Sequence, residues 1–386
     1  MRIFLIAGEA SGDRLGAALM AGLKTLGSVE FHGVGGPLMQ DEGLSSLFDM
    51  SELSVMGIVE VLPKYRHLKR RIAETAEAVL KTRPDVMITI DSPDFCLRVA
   101  KLVKAKSDIR TVHYVAPSVW AWREGRAAKM AKVIDHVLAI LPFEPPLMRA
   151  HGMACDFVGH PVVSEPQAGA EDVAAFREKH GLSDAPVLLV LPGSRRGEVA
   201  RLAPIFGEAL RPVLERYPDM KLVVPTTANV TETLREAVGT WPQAPLILDP
   251  GRMSNAEYKI EKAAAFGVAR GALAASGTVS LELAAADTPM VIAYDVNWLS
   301  RQIIAALLKV DTLTLVNLVS ETRDVPECNG KECRADRIAP ALLTMLEHPE
   351  RQARAMRVTM ERLGRGGEAP GLRAARAVMA GLGSRT

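Results

Sequence analysis

The stretch that most limits the fold is residues 271–290, GALAASGTVSLELAAADTPM. Its small-residue turn, Ala275-Ser276-Gly277, opens straight into Thr278-Val279-Ser280-Leu281-Glu282-Leu283, and an apolar run from Met290 to Ala293 follows. This order reads as a strand end, a helix N-terminus and the next strand of a parallel sheet. A helix starting at Gly277 or Thr278 turns unpaired backbone N–H groups and the positive end of its dipole outward, and glycine lets a ligand come close to the backbone. That is a setting for a diphosphate. Glu282, one turn after Thr278, lies on the same helical face, where its carboxylate can accept hydrogen bonds from a ribose diol. The same residues also suit an ordinary capped helix of an α/β sheet, so the rest of the chain has to decide.

The pattern recurs along the chain. Arg2 to Ala7 is an apolar run ending in GEASGD, after which Leu15, Leu19, Leu23 and Leu26 recur at helical spacing. Val29–Val34, Asp85–Ile90, Thr111–Val115, Val133–Ile140 and Asp156–Val158 have the character of further strands. Together they predict a doubly wound parallel sheet over residues 1–160. A second cycle begins at Pro186, with strands expected at Val187–Leu191, Lys221–Pro225, Pro245–Leu248 and Ala263–Val268, for a second domain over 170–345. Gly159-His160-Pro161 and the small, polar residues through Ala170 read as the crossover between domains. His160 suits a hinge residue bonded to backbone as well as it suits chemistry, and no catalytic role is given to it. Residues 346–386 are expected to form helices that pack back on the N-terminal domain or on a partner subunit.

Bulk properties narrow the class. A chain of 386 residues is long for one core. Its net charge of +2 excludes a global nucleic-acid footprint. No apolar stretch reaches the roughly 18–20 residues of a spanning helix, and the first apolar run breaks at Gly8, so no signal peptide is expected. Cys96, Cys155, Cys328 and Cys333 lack the spacing of a zinc knuckle and fit a reducing, cytoplasmic setting.

The polar residues worth weighing lie where strands end. Glu9, Ser11 and Asp13 follow the first strand, and Ser11 serves equally as a helix cap. Asp91 directly follows its strand and suits a general base, whereas Asp94, beside Pro93, complements a helix dipole. Pro117-Ser118-Val119-Trp120-Ala121-Trp122-Arg123 makes a loop able to cover a sugar face or an acyl chain, or only the core. In the second half, the Pro192-Gly193-Ser194-Arg195-Arg196-Gly197-Glu198 turn places a guanidinium fork where a phosphate can be gripped; the two arginines are adjacent, so only one is expected to reach a ligand. The Asp249–Met253 loop offers backbone to a nucleobase, and Asn317, in an apolar run, wants hydrogen-bond partners. Segment 58–72 is apolar along one stripe through Tyr65, Leu68 and Ile72, basic elsewhere, with Pro63 expected in a first helical turn. It suits either packing on the sheet or lying on an anionic membrane surface.

Two such domains facing one another across a cleft suit a glycosyltransferase, with a nucleotide-sugar donor on the C-terminal half and an acceptor on the N-terminal half. No DxD element stands out as a metal holder. Helix dipole and arginine would then stabilise the departing diphosphate, and a carboxylate opposite would deprotonate the attacking hydroxyl.

GEASGD (8–13), GVGGPLM (33–39), ELSVMGIVEVL (52–62), IDSPDF (90–95), HYVAPSVWAWR (113–123), LPFE (141–144), FVGHP (157–161), LPGSRRGEV (191–199), ASGTVSLE (275–282) and LVNLVSE (315–321) resemble, in order, the motifs of the lipid-A-disaccharide synthase family. The resemblance implies a GT-B fold of two Rossmann-like domains and inverting transfer of a diacylated glucosamine from UDP to the 6-hydroxyl of diacylglucosamine 1-phosphate, with no cofactor or metal. It implies a peripheral protein on the inner face of the cytoplasmic membrane, touching the membrane through 58–72, with the oligomeric state left open. Residue by residue, it puts the essential aspartate on Asp91, the phosphate arginine on Arg195 and the amide on Asn317, and the UDP pocket on Ser276, Gly277, Thr278 and Glu282. Asp91 is taken as the base and Glu9 as an acceptor-sugar ligand, although the sequence does not separate the two roles. No role is carried past Glu327. Two rivals share the architecture: a UDP-N-acetylglucosamine 2-epimerase, which has no use for an amphipathic basic segment, and a non-catalytic nucleotide-sugar sensor, which has none for carboxylates on the opposite edge.

Overall fold

The structure, a computed structural model, describes residues 1–53, 58–121, 125–297, 302, 308 and 310–383, without the side chains of 58–65. It divides into two compact units, residues 1–164 with 363–386, and residues 165–362. Each is an all-parallel sheet with helices about it.

In the first unit, strands β1 (Arg2–Ala7), β2 (Glu30–Val34), β3 (Ser45–Ser46), β4 (Val86–Ile90), β5 (Arg110–Tyr114), β6 (His136–Ala139) and β7 (Ala154–Phe157) stand in the order β3-β2-β1-β4-β5-β6-β7. All five residues of β4 are buried, because a central parallel strand is covered on both faces. The helix Ala10–Leu26 seals one face with Leu15, Leu19 and Leu23. Against it lies the returning C-terminal helix Pro370–Gly383, whose Ala374, Ala375 and Val378 join the same core. The two backbones nearly touch: a methyl group on Gly371 would sit 2.5 Å from the carbonyl oxygen of Ala18. The crossover helices explain why such a sheet reads as alternating apolar runs and 3.6-residue periods.

The second unit orders β8 (Val187–Leu191), β9 (Lys221–Pro225), β10 (Leu246–Leu248), β11 (Ala269–Ala274), β12 (Met290–Tyr294) and β13 (Glu327–Asn329) as β10-β9-β8-β11-β12-β13. Its core gathers Leu188, Val190, Phe206 and Leu210 with Leu342 and Leu346 of the helix Ala335–Glu347.

Two local expectations are corrected. Ala263–Val268 is the end of a helix, Asn255–Val268, not a strand. The side chain of Ser254 caps the N–H of Glu257, whose carboxylate takes the Ser254 N–H in return; that capping box starts a helix which the strong former alanine then sustains through Ala263-Ala264-Ala265. The other concerns Pro63, which lies well inside a helix running from Ile58 to Thr82 rather than in its first turn. That helix buries Ile72, Ala76 and Val79 against the first-unit core, and exposes Arg66, Lys69 and Arg70.

Candidate active site

Where strand order reverses in a doubly wound sheet, the loops leave in opposite directions and open a crevice at the carboxyl edge. In the first unit that point falls between β1 and β4, where Ala7 pairs with Ile90. The residues that follow are Gly8-Glu9 and Asp91-Ser92. They are close: a Cβ on Gly8 would lie 2.7 Å from the Ser92 hydroxyl and 3.0 Å from its Cβ. Asp91 and Ser92 both adopt left-handed backbone, at φ 50° and 43°, and Val115, leaving the neighbouring β5, does so at 81°. Three such residues, one of them β-branched, hold strain on a single sheet edge, as ligand sites do. Asp91 donates its N–H to the Tyr114 carbonyl at 3.0 Å, while among the described residues its carboxylate makes no hydrogen bond or ion pair.

Asp13 is buried and accepts the N–H groups of Gly36, Leu38 and Met39 at 2.9–3.0 Å, capping the short helix Pro37–Asp41. Ser11 lies exposed inside its helix, with Glu9 at the cap position. Asp94 is in the first turn of Pro93–Lys104. Among the described residues His160 hydrogen-bonds only backbone, its main-chain N–H donating to the Leu363 carbonyl and its Nδ1 accepting the Val162 N–H, and burial draws its pKa down to about 4. Trp120 packs edge-on against Phe143, with centroids 5.4 Å apart; Trp122 and Arg123 lie outside the described residues.

In the second unit the order reverses between β8 and β11, where Leu191 pairs with Ala274 and its carbonyl accepts the Ala275 N–H at 2.8 Å. The Pro192–Arg195 turn and the Ala275–Thr278 turn are thereby neighbours. Thr278 is the cap residue of the helix Val279–Ala285; among the described residues no side chain caps it, Gly277 and Thr278 are exposed, and Ser276 is half-buried. Among the described residues, a Cβ on Gly277 would meet nothing within 4 Å. The two arginines part: Arg195 pairs with Glu198 at 2.8 Å, and Arg196 donates to the Asn229 carbonyl at 3.1 Å. The carboxylate of Glu282 is gripped by Lys262. Asp249 caps the turn after β10 through the Gly251 N–H and holds Arg235 at 2.7 Å.

Asn317 sits apart from these in its hydrogen bonding. It is buried on the helix Leu315–Ser320, where its amide donates to the Val325 carbonyl at 2.9 Å and its oxygen accepts the Val325 N–H at 3.1 Å. It clasps its own segment, together with Glu327, which accepts from the N–H of Thr314 and the side-chain amide of Asn329.

Sequence reasoning passed over Lys262, Tyr294 and the role of Glu198. Glu198 had a signal, an acid three residues after the cap of a helix. Lys262 and Tyr294 had none, because their partners lie 20 and 96 residues away and are met only through tertiary packing.

Two doubly wound parallel units, with candidate ligand-binding residues at each switch point, make up the α/β architecture of GT-B proteins. A family profile described as lipid-A-disaccharide synthetase matches residues 3–376. A lipid-A-disaccharide synthase from Ruegeria pomeroyi is 66% identical over 380 residues, covering 98% of this chain and 95% of that protein. One from Rhodospirillum centenum is 48% identical over 384 residues, covering 98% and 94%. The chain belongs to the lipid-A-disaccharide synthase family and is a glycosyltransferase. Among solved structures, the UDP-GlcNAc 2-epimerase from Neisseria meningitidis bound to UDP-GlcNAc superposes with a TM-score of 0.64 at 12% identity over all of both chains. The S. aureus MnaA–UDP structure gives 0.65 at 12%, over 98% and 94%. At such identity the likeness is one of fold alone, and the epimerase reading is not supported.

Proposed function

We propose that the chain transfers 2,3-diacylglucosamine from UDP to the 6-hydroxyl of 2,3-diacylglucosamine 1-phosphate with inversion, releasing UDP and requiring no metal. The observation that carries the assignment of residues is that Glu9 with Asp91, and Arg195 with Ser276–Thr278, each lie at the switch point of their own sheet. Asp91 takes the proton of the acceptor hydroxyl as that oxygen attacks the anomeric carbon, its unshared carboxylate being suited to the task. Glu9 binds the acceptor sugar. Arg195 and the N–H groups at Gly277 and Thr278 take up the charge developing on the diphosphate, and Glu282 accepts from the ribose. Asn317 acts by holding the segment that follows β12.

Both substrates carry acyl chains, so we place the protein on the inner face of the cytoplasmic membrane through the 58–72 segment, whose exposed Arg66, Lys69 and Arg70 suit an anionic surface. No helix among the described residues is long and apolar enough to cross a membrane.

The test is UDP release from the diacyl donor with and without acceptor. Asp91→Asn should lower turnover by about 100- to 10,000-fold while UDP still binds. Near-normal turnover in that variant, or UDP release that ignores the acceptor, would overturn the assignment.

A further inference from the structure

Glu198 is oddly placed for a diphosphate turn. Its carboxylate is largely buried, with 15% of the side chain exposed, and takes four donors among the described residues. These are the N–H groups of Ser194 and Arg195, both at 3.3 Å, Nη1 of Arg195 at 2.8 Å and the Tyr294 hydroxyl at 3.1 Å. A carboxylate beside a bound diphosphate is repelled unless something neutralises it. Arg195 does so with one nitrogen, while the rest of its guanidinium takes no partner among the described residues and 64% of its side chain remains exposed.

The surroundings are built to this arrangement. Gly193 turns the chain at φ 119°, and a Cβ there would lie 2.7 Å from that of Glu198. Tyr294 ends β12, two strands across from β8, so its contact with Glu198 ties together three neighbouring strands. Burial first, and then the charge of Glu198, raises the pKa of that phenol above its ordinary value.

We infer that Glu198, held by Tyr294, is the positioning residue that aims Arg195 at the donor's diphosphate. It takes one nitrogen of the guanidinium fork and leaves the others to phosphate oxygens. This rests on Arg195 being the diphosphate ligand. The bland alternative is that Glu198 only caps its helix by accepting the Arg195 N–H. A capping role and an aiming role part company once Arg195 is removed.

The experiment is a double-mutant cycle on the full chain, read as UDP affinity by calorimetry and as donor KM and kcat. Glu198→Gln should weaken UDP about tenfold and Tyr294→Phe about threefold, raising donor KM more than they lower kcat. In an Arg195→Ala background neither change should weaken UDP further. Equal losses with and without Arg195, or tighter UDP binding in Glu198→Gln, would overturn the inference. If Glu198→Gln folds poorly, Tyr294→Phe removes only a hydroxyl and completes the same cycle. Unchanged UDP affinity in Arg195→Ala alone would instead remove the diphosphate assignment itself, and the inference with it.

Discussion

Lys262, on the helix Asn255–Val268, forms an ion pair with Glu282 on the helix Val279–Ala285, twenty residues further along the chain. The carboxylate assigned to the ribose is therefore already oriented by a cation. Both side chains are about one-third exposed, so the pair contributes little to stability and its value is in holding one rotamer. Lys262→Met should raise donor KM by about two- to fivefold with kcat and the unfolding midpoint nearly unchanged. Steady-state kinetics with varied donor checks this; an unchanged KM would detach Lys262 from the ribose.

Asp13 lies within reach of the same sheet edge as Glu9, yet three backbone N–H groups occupy its carboxylate. Asp13→Ala leaves all three without that acceptor at a buried helix start. It should cost about 2–4 kcal/mol in urea denaturation, while Asp13→Asn costs less.

The basic residues of 58–72 are not equivalent. Arg71 stacks 4.3 Å over the Phe48 ring and bonds Glu52 through two nitrogens, and His67 joins the same carboxylate at 2.6 Å. Lys69→Ser with Arg70→Ser should reduce partition onto anionic liposomes, more at low salt than at high, and leave the unfolding midpoint in place. Arg71→Ser should lower that midpoint. Unchanged partition in the Lys69/Arg70 double variant would mean that this face is merely solvated.

Buried ionisable groups set two opposed pH trends. Burial lowers the pKa of His113, and of His160, to about 4 from 6.5. Between those values the unfolded chain binds more protons, so their contribution is intact above pH 6.5 and is lost as pH falls toward 4. Burial raises Glu144 from 4.5 to about 8, so its contribution is fullest below pH 4.5 and lost as pH rises through 8. His113→Gln should flatten the acid side of a plot of unfolding midpoint against pH, and Glu144→Gln the alkaline side. Unaltered slopes would show that other groups dominate.

Much of the fold was legible because it is written in short local periods. The strands Val187–Leu191 and Lys221–Pro225 coincide with their apolar runs, and the turn at Ala275–Gly277 does open into a helix. Alanine defeats this reading at Ala263–Val268, since it is apolar enough for a strand and the best helix former. Candidate residues could be placed at strand ends for the same reason. What the side chains at those ends do could not: Asp13 and Glu9 differ by four positions, yet only the approach of Gly36 to Met39 makes Asp13 a cap.

The amino-acid order by itself thus determined two successive α/β cycles and which polar residues leave their strands at the carboxyl edge, because hydrophobic periodicity and glycine-bearing turns act over a few residues. Tertiary structure alone decided which edges are neighbours. Placing β4 beside β1, and β11 beside β8, brings Asp91 to Glu9 and Gly277 to the Arg195 turn across separations of more than eighty residues. It likewise delivers Lys262 to Glu282 and Tyr294 to Glu198. Such pairings come from burying whole sheet faces under their crossover helices, and they leave no period in the chain for a reader to detect.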